Sequence, residues 1–449
     1  MVLTRPYKST TITTEALWRI VACDFSRLYP SFRQQLDQGN RELSSSNIDR
    51  LFKMLIERPL STLDHDPHEE LPVIVVDALD DCGGLRHEPS GKDYEALLRT
   101  LQRWAQGDHL KKFKLVITSR PEDRINQTFP TPSAPIVNIP SGKNIKLGDS
   151  AFDDIHAFFK DRFDNEKIED AWVREALDYL VPSAAGVLIW ATTAANFLLV
   201  NPKTRFDSCK WGDDTEGFDN LHSLYLTVIT TSFGRALKRE IKAIISFLGA
   251  MIFAKQPLDD IVLMRLLPGI QSPNTLKFIK KGFMSVIDSG STSCFHHRSF
   301  EDFLLSSSFQ EDLPKLSDVQ DRDLHERQLA ALCLTTIVSS ELHFNMCNLT
   351  SSSIGHAYIP VTDKSAISPL VSYSSQLWED HLVQTQCKEI LMKAVKFVMY
   401  EKPLFWIEVM SILDKADEVS AIFEKVLEWL ALAVCPDFVF YNTILRLTS

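Results

Sequence analysis

The stretch Leu71-Pro72-Val73-Ile74-Val75-Val76-Asp77-Ala78-Leu79-Asp80-Asp81-Cys82 decides how this chain is read. Its apolar part is too short for a stable helix and too continuous for a strand with one wet face. That pattern predicts a strand buried on both faces of a parallel sheet. The run ends in acid, at Asp77 and then at Asp80 and Asp81. A helical pattern from Tyr94 to Trp104 follows. A second such run comes next, Phe113-Lys114-Leu115-Val116-Ile117-Thr118-Ser119-Arg120, and Pro135–Ile139 is a third candidate strand. Strand, helix, strand, with polar residues at the strand C-termini, predicts a doubly wound α/β core whose ligands bind at those ends.

Upstream, Leu17, Ile20, Val21, Phe25 and Leu28 recur at helical spacing until Pro30, and a second helix is expected over Ser46–Glu57. The polar stretch Ser61–Glu70 reads as a surface loop; His65 and His68 have no helix around them to make a metal site. Downstream of Ala151 the chain reads as helical. Stripes are expected at Phe152–Phe163, Trp172–Leu180 and Ala184–Leu199, then a linker over Asn201–Asn220. Helices at Leu221–Phe233, Ala236–Ala254, Leu258–Leu267 and Ser272–Lys281 precede two strand-like runs, Phe283–Ile287 and Ser293–His297. Helices closed by a hairpin suggest a winged-helix module, and Asp323–Arg446 reads as amphipathic helices. The expected division is a partial NTPase core over 1–145 and a helical lid over 146–205. A linker and helix over 206–235, a winged-helix-like module over 236–310 and a helical arm over 311–449 complete it.

The 449 residues include 48 Lys and Arg against 59 Asp and Glu, a net charge of −11. Phosphate affinity needs clustered cations, so this balance argues against a general binder of nucleic acid or anionic membrane. No apolar run reaches the roughly 18 residues that a membrane helix needs. Arg5 and Lys8 have no apolar core behind them to make a signal peptide. The eight cysteines are scattered and form no CxxC pair, which predicts reduced thiols in a cytoplasmic protein.

An aspartate fixed at the end of an apolar strand is suited to hold Mg²⁺ against phosphate oxygens, and a second acid nearby, Asp80 or Asp81, is suited to orient an attacking water. Many strands also end in Asp as a helix cap or loop residue. Arg120, after Thr118 and Ser119, is placed to reach a terminal phosphate; the bland reading is a surface arginine before Pro121.

"LPVIVVDALDDC" (Leu71–Cys82) followed by "KLVITSRPE" (Lys114–Glu122) resembles the Walker B and sensor 1 pair of fungal NACHT-type NTPases, the nephrocystin-like branch of the STAND class. "AAGVLIWATTAANFL" (Ala184–Leu198) is similar to that family's lid helix, and "CFHHRSFEDFLLSS" (Cys294–Ser307) to the end of its winged-helix module. "LYLTVITTSF" (Leu224–Phe233) and "LFWIEVMSIL" (Leu404–Leu413) fit in the same order. The resemblance implies ATP or ADP with Mg²⁺ as cofactors and a switch that signals through protein partners or self-association. It makes Asp77 the Mg²⁺ ligand, Asp80 and Asp81 the catalytic acids, and Arg120 and His297 the nucleotide sensors. The plainer reading of His297 is a cap for the helix that follows, and Asp302 and Phe303 read as capping and packing residues.

Two departures weigh against hydrolysis. Asp81 stands where the family has Glu, one methylene shorter. Neither Gly91-Lys92-Asp93 nor Gly142-Lys143-Asn144 completes the phosphate-cradling GxxxxGK[ST], since Arg86 and Val137 stand where the first glycine belongs. The chain is therefore expected to begin after the Walker A segment. It is either a truncated gene model of a nucleotide switch or a degenerate paralogue acting as a non-catalytic helical scaffold. No GxSxG or HExxH supports a hydrolase of another kind.

Overall fold

The computed structural model describes residues 2–3, 14–38, 47–61, 73–77, 79, 92–106, 114–120, 123–129, 137, 150–166, 172–208, 218–266, 272–290, 292–349, 366–386, 389–413 and 415–432. These residues are mostly helical, with one small parallel sheet and one small antiparallel sheet. The chain forms two compact units, Met1–Ile139 and Pro140–Ser449.

In the first unit β1 (Val2–Leu3) precedes α1 (Thr14–Leu28), α2 (Pro30–Gln38), α3 (Ile48–Phe52), a π-helical turn (Lys53–Glu57) and α4 (Arg58–Ser61). Then come β2 (Val73–Val76), α5 (Lys92–Gln106), β3 (Lys114–Ile117) and α6 (Asp123–Thr128). Strand β2 lies between β1 and β3 and pairs with both in parallel, Val76 opposite Ile117. Pro30 ends one helix and opens the next, because its fixed φ suits a first helical position.

The expected burial on both strand faces is corrected here. Ile74 and Val76 are buried while Val73 and Val75 are only half-buried, and on β3 Val116 is 46% exposed. One face of the pleat packs into the helical core with Trp18, Phe52 and Trp104, and the other has no such cover among the described residues. In that core Trp18 stacks on Trp104 at 5.6 Å and donates its indole N–H to Thr100 Oγ1 at 3.1 Å. Of the third candidate strand only Val137 is described; it is not in a strand and is 83% exposed.

The second unit opens with α7 (Ser150–Asn165), α8 (Trp172–Ala184), α9 (Leu188–Leu198) and α10 (Pro202–Ser208). Two expectations shift. The lid-like helix starts at Leu188 rather than Ala184, because Ala185 and Gly186 take left-handed backbone (φ 44 and 71) and end α8. The expected linker contains α10, held by buried Phe206 and by Arg205, which donates to the Phe197 carbonyl at 2.8 Å and lies 4.4 Å over its ring.

Helices α11 (Phe218–Phe233) and α12 (Lys238–Phe253) lead through β4 (Leu258–Asp259) to α13 (Asp260–Leu266) and α14 (Pro273–Phe283). The hairpin β5 (Ile287–Ser289) and β6 (Thr292–Phe295) follows, with β4 paired to the far side of β6. Then come α15 (Arg298–Leu304), α16 (Ser307–Asp312) and a 3₁₀ turn (Pro314–Gln320). Tyr225, Phe233, Phe283, Phe300 and Phe303 join these elements ring to ring.

The remaining helices are α17 (Arg322–Val338), α18 (Pro369–Leu382), α19 (Glu389–Glu401), α20 (Pro403–Ile412) and α21 (Val419–Leu432). Two indoles close this stack, Trp406 donating to the Ser375 carbonyl at 2.8 Å and Trp429 to that of Thr385 at 2.9 Å. No described helix is long and apolar enough to cross a membrane.

Candidate functional site

Because β2 and β3 run parallel and in register, their C-terminal ends fall side by side, and Asp77 comes opposite Thr118. The backbone ties continue past the strands. Thr118 N donates to the Val76 carbonyl at 3.0 Å, and Leu79 N donates to that of Thr118 at 2.9 Å. The Thr118 hydroxyl donates to Asp77 Oδ1. Tyr94 on the crossover helix reaches the Leu79 carbonyl at 3.4 Å, so the turn after Asp77 is braced from α5 as well.

Asp77 is exposed and Arg120 half-buried, two residues past Thr118 at the same sheet end. Asp80 and Asp81 lie outside the described residues. Thr118 is the residue that sequence reasoning missed as a partner for Asp77: only the strand register pairs them, and register is a long-range property.

His297 belongs to the second unit. It is the N-cap of α15, its Nδ1 accepting from Ser299 N at 3.1 Å and lying 2.8 Å from Ser299 Oγ, which in turn bonds the Tyr225 hydroxyl at 2.7 Å. The plainer of its two readings describes this geometry. Asp302 meets Arg298 at 3.6 Å and Phe303 packs in the aromatic core.

A second ionic centre carries no sequence motif. Glu326 on α17 is fully buried and accepts from Lys255 Nζ at 2.9 Å and from His381 Nδ1 on α18 at 2.6 Å. His381 Nε2 lies 2.7 Å from the Tyr373 hydroxyl. Burial pulls against the charge on Glu326, but His381 and Lys255 outweigh it and hold the carboxyl below its ordinary range. Burial lowers His381 despite Glu326, and raises Tyr373 far above its usual value. The same dry surroundings push the Cys333 thiol up to about 12, which makes it inert. Buried from solvent, this centre ties Lys255, just past the end of α12, to α17 and α18.

Asp77 suits Mg²⁺ only if the ion brings phosphate and water ligands with it, since Mg²⁺ commonly takes one or two carboxylates and fills its octahedron from those sources. Among the described residues no three His, Cys, Asp or Glu side chains are grouped to hold a metal by themselves. Cys23 and Cys333 are free thiols. No protein family, characterised protein or solved structure matches this chain.

Proposed function

We propose that this chain is the switch portion of a STAND-class NTPase, carrying the metal side of a nucleotide site without being a hydrolase itself. The observation that carries the reading is the Asp77–Thr118 pair at the C-terminal end of two adjacent parallel strands, with Arg120 beside it. In this reading Asp77 holds Mg²⁺, whose charge neutralises the phosphates. Thr118 fixes the carboxylate and Arg120 meets the terminal phosphate. Helices α12 to α14 followed by the β5–β6 hairpin support a winged-helix module, and α17 to α21 an arm. The protein is cytoplasmic and acts through protein partners.

Calorimetric titration of the chain with Mg·ADP and Mg·ATP tests this. We expect weak binding that Asp77→Asn reduces tenfold or more, by about 1.4 kcal/mol or more, and no turnover. Turnover abolished by Asp77→Asn would make the chain an enzyme after all. Binding indifferent to Asp77 removes the nucleotide reading and leaves the helical scaffold, which the continuous core of the second unit favours.

A further inference from the structure

Helix α19 is apolar on two opposite sides. Leu391, Val395, Val398 and Met399 face the core. Ile390, Phe397 and Tyr400 stand on the other side, 75%, 41% and 55% exposed. A helix apolar on both sides is built to be covered on both. Past the break at Lys402, Leu404 in the first turn of α20 is exposed as well, at 76%.

The charges on the strip select the cover. Lys393 and Glu401 are exposed and lie four residues before and four after Phe397. If a second α19 lies antiparallel with its two-fold axis at Phe397, residue 397 − n faces residue 397 + n. Lys393 then faces Glu401 of the second copy, and the two Phe397 rings meet on the axis. Residues 393, 397 and 401 are evenly spaced along the one helix, so the pairing is reciprocal, as a self-complementary two-fold interface requires. Lys393 bonds Glu389 of its own helix at 2.7 Å on the open surface, where such a pair contributes little and yields readily to another acid.

We infer that the outer face of α19 is a homodimer interface, two copies pairing antiparallel about Phe397 with reciprocal Lys393–Glu401 ion pairs. The inference is independent of the nucleotide reading. One short helix against its copy falls near or below the low end of stable interfaces, about 1,200 Å² in total. The dimer is therefore expected to be weak and concentration-dependent.

Sedimentation equilibrium of the full chain over a micromolar to hundred-micromolar range tests this, with circular dichroism confirming that each variant is folded. The expected result is a monomer–dimer equilibrium weakened about tenfold or more by Phe397→Asp. Lys393→Glu and Glu401→Lys should each weaken it, and the two together should restore it. A chain that stays monomeric throughout, its outer face left for another protein, overturns the proposal. So does a dimer indifferent to Phe397→Asp, or a double charge reversal no better than the single ones.

Discussion

Gly249 in α12 has no room for a side chain: a methyl group there would lie 2.1 Å from the imidazole of His325. That ring is itself held, stacked 5.6 Å from Phe253 with Nε2 2.9 Å from the Asp318 carbonyl. The close approach brings α17 against α12 beside the Lys255–Glu326 pair. We predict that Gly249→Ala destabilises the second unit by about 2 kcal/mol or more, because overpacking a filled core displaces a hydrogen-bonded ring. Denaturant unfolding followed by far-ultraviolet circular dichroism measures this. A change under about 0.5 kcal/mol, the range of ordinary surface substitutions, would show that the ring moves aside freely.

At the scale of the element, β3 is the informative strand. Its four residues pair with β2 on one side only, and Val116 stands 46% exposed at the sheet margin of the described residues. An apolar edge with free backbone groups invites another chain to add a strand, and a lysine there is a common guard. Val116→Lys is therefore expected to leave stability within about 0.5 kcal/mol and to raise the concentration at which the protein aggregates, read by light scattering during slow warming. Unchanged aggregation would clear this edge of blame. The same strand shows where periodicity falls short. An unbroken apolar run such as Val73–Val76 is legible as a strand, but how many of its faces are covered depends on helices distant in the chain. For the same reason Phe206, in a stretch rich in polar residues, Gly and Pro, becomes core once α9 lies beside it.

For the whole molecule the buried histidines set a pH dependence. Burial lowers both His381 and His325 below the ordinary histidine value of 6.5. As pH falls through 6.5 the unfolded chain takes up protons that the folded one refuses, so stability drops. Glu326, also lowered against its own burial, adds a further loss at more acidic pH, once its carboxylate is protonated in the fold. Thermal unfolding is expected at progressively lower temperature from pH 7.5 to 5.5, and His381→Gln should flatten part of that slope. A midpoint constant over this range would mean that the imidazoles titrate alike in both states.

The residues alone predict an α/β core with a partial parallel sheet followed by a mostly helical region, with acid at the end of one strand and Thr-Ser-Arg at the end of the next; the helical region and the parallel pairing of those two strands are what the structure shares with that reading. Apolar periodicity is a local signal, and so are proline stops and the abrupt change from Val76 to Asp77. Long-range packing is what makes Thr118 hold Asp77, sets His297 as a helix cap, gathers Lys255, Glu326, His381 and Tyr373, and leaves an apolar face of α19 outward. Each of these depends on which distant segment lies alongside. A buried ion pair between residues 71 positions apart leaves no pattern in the chain, because register and helix packing are chosen by the burial of whole faces rather than by neighbouring residues.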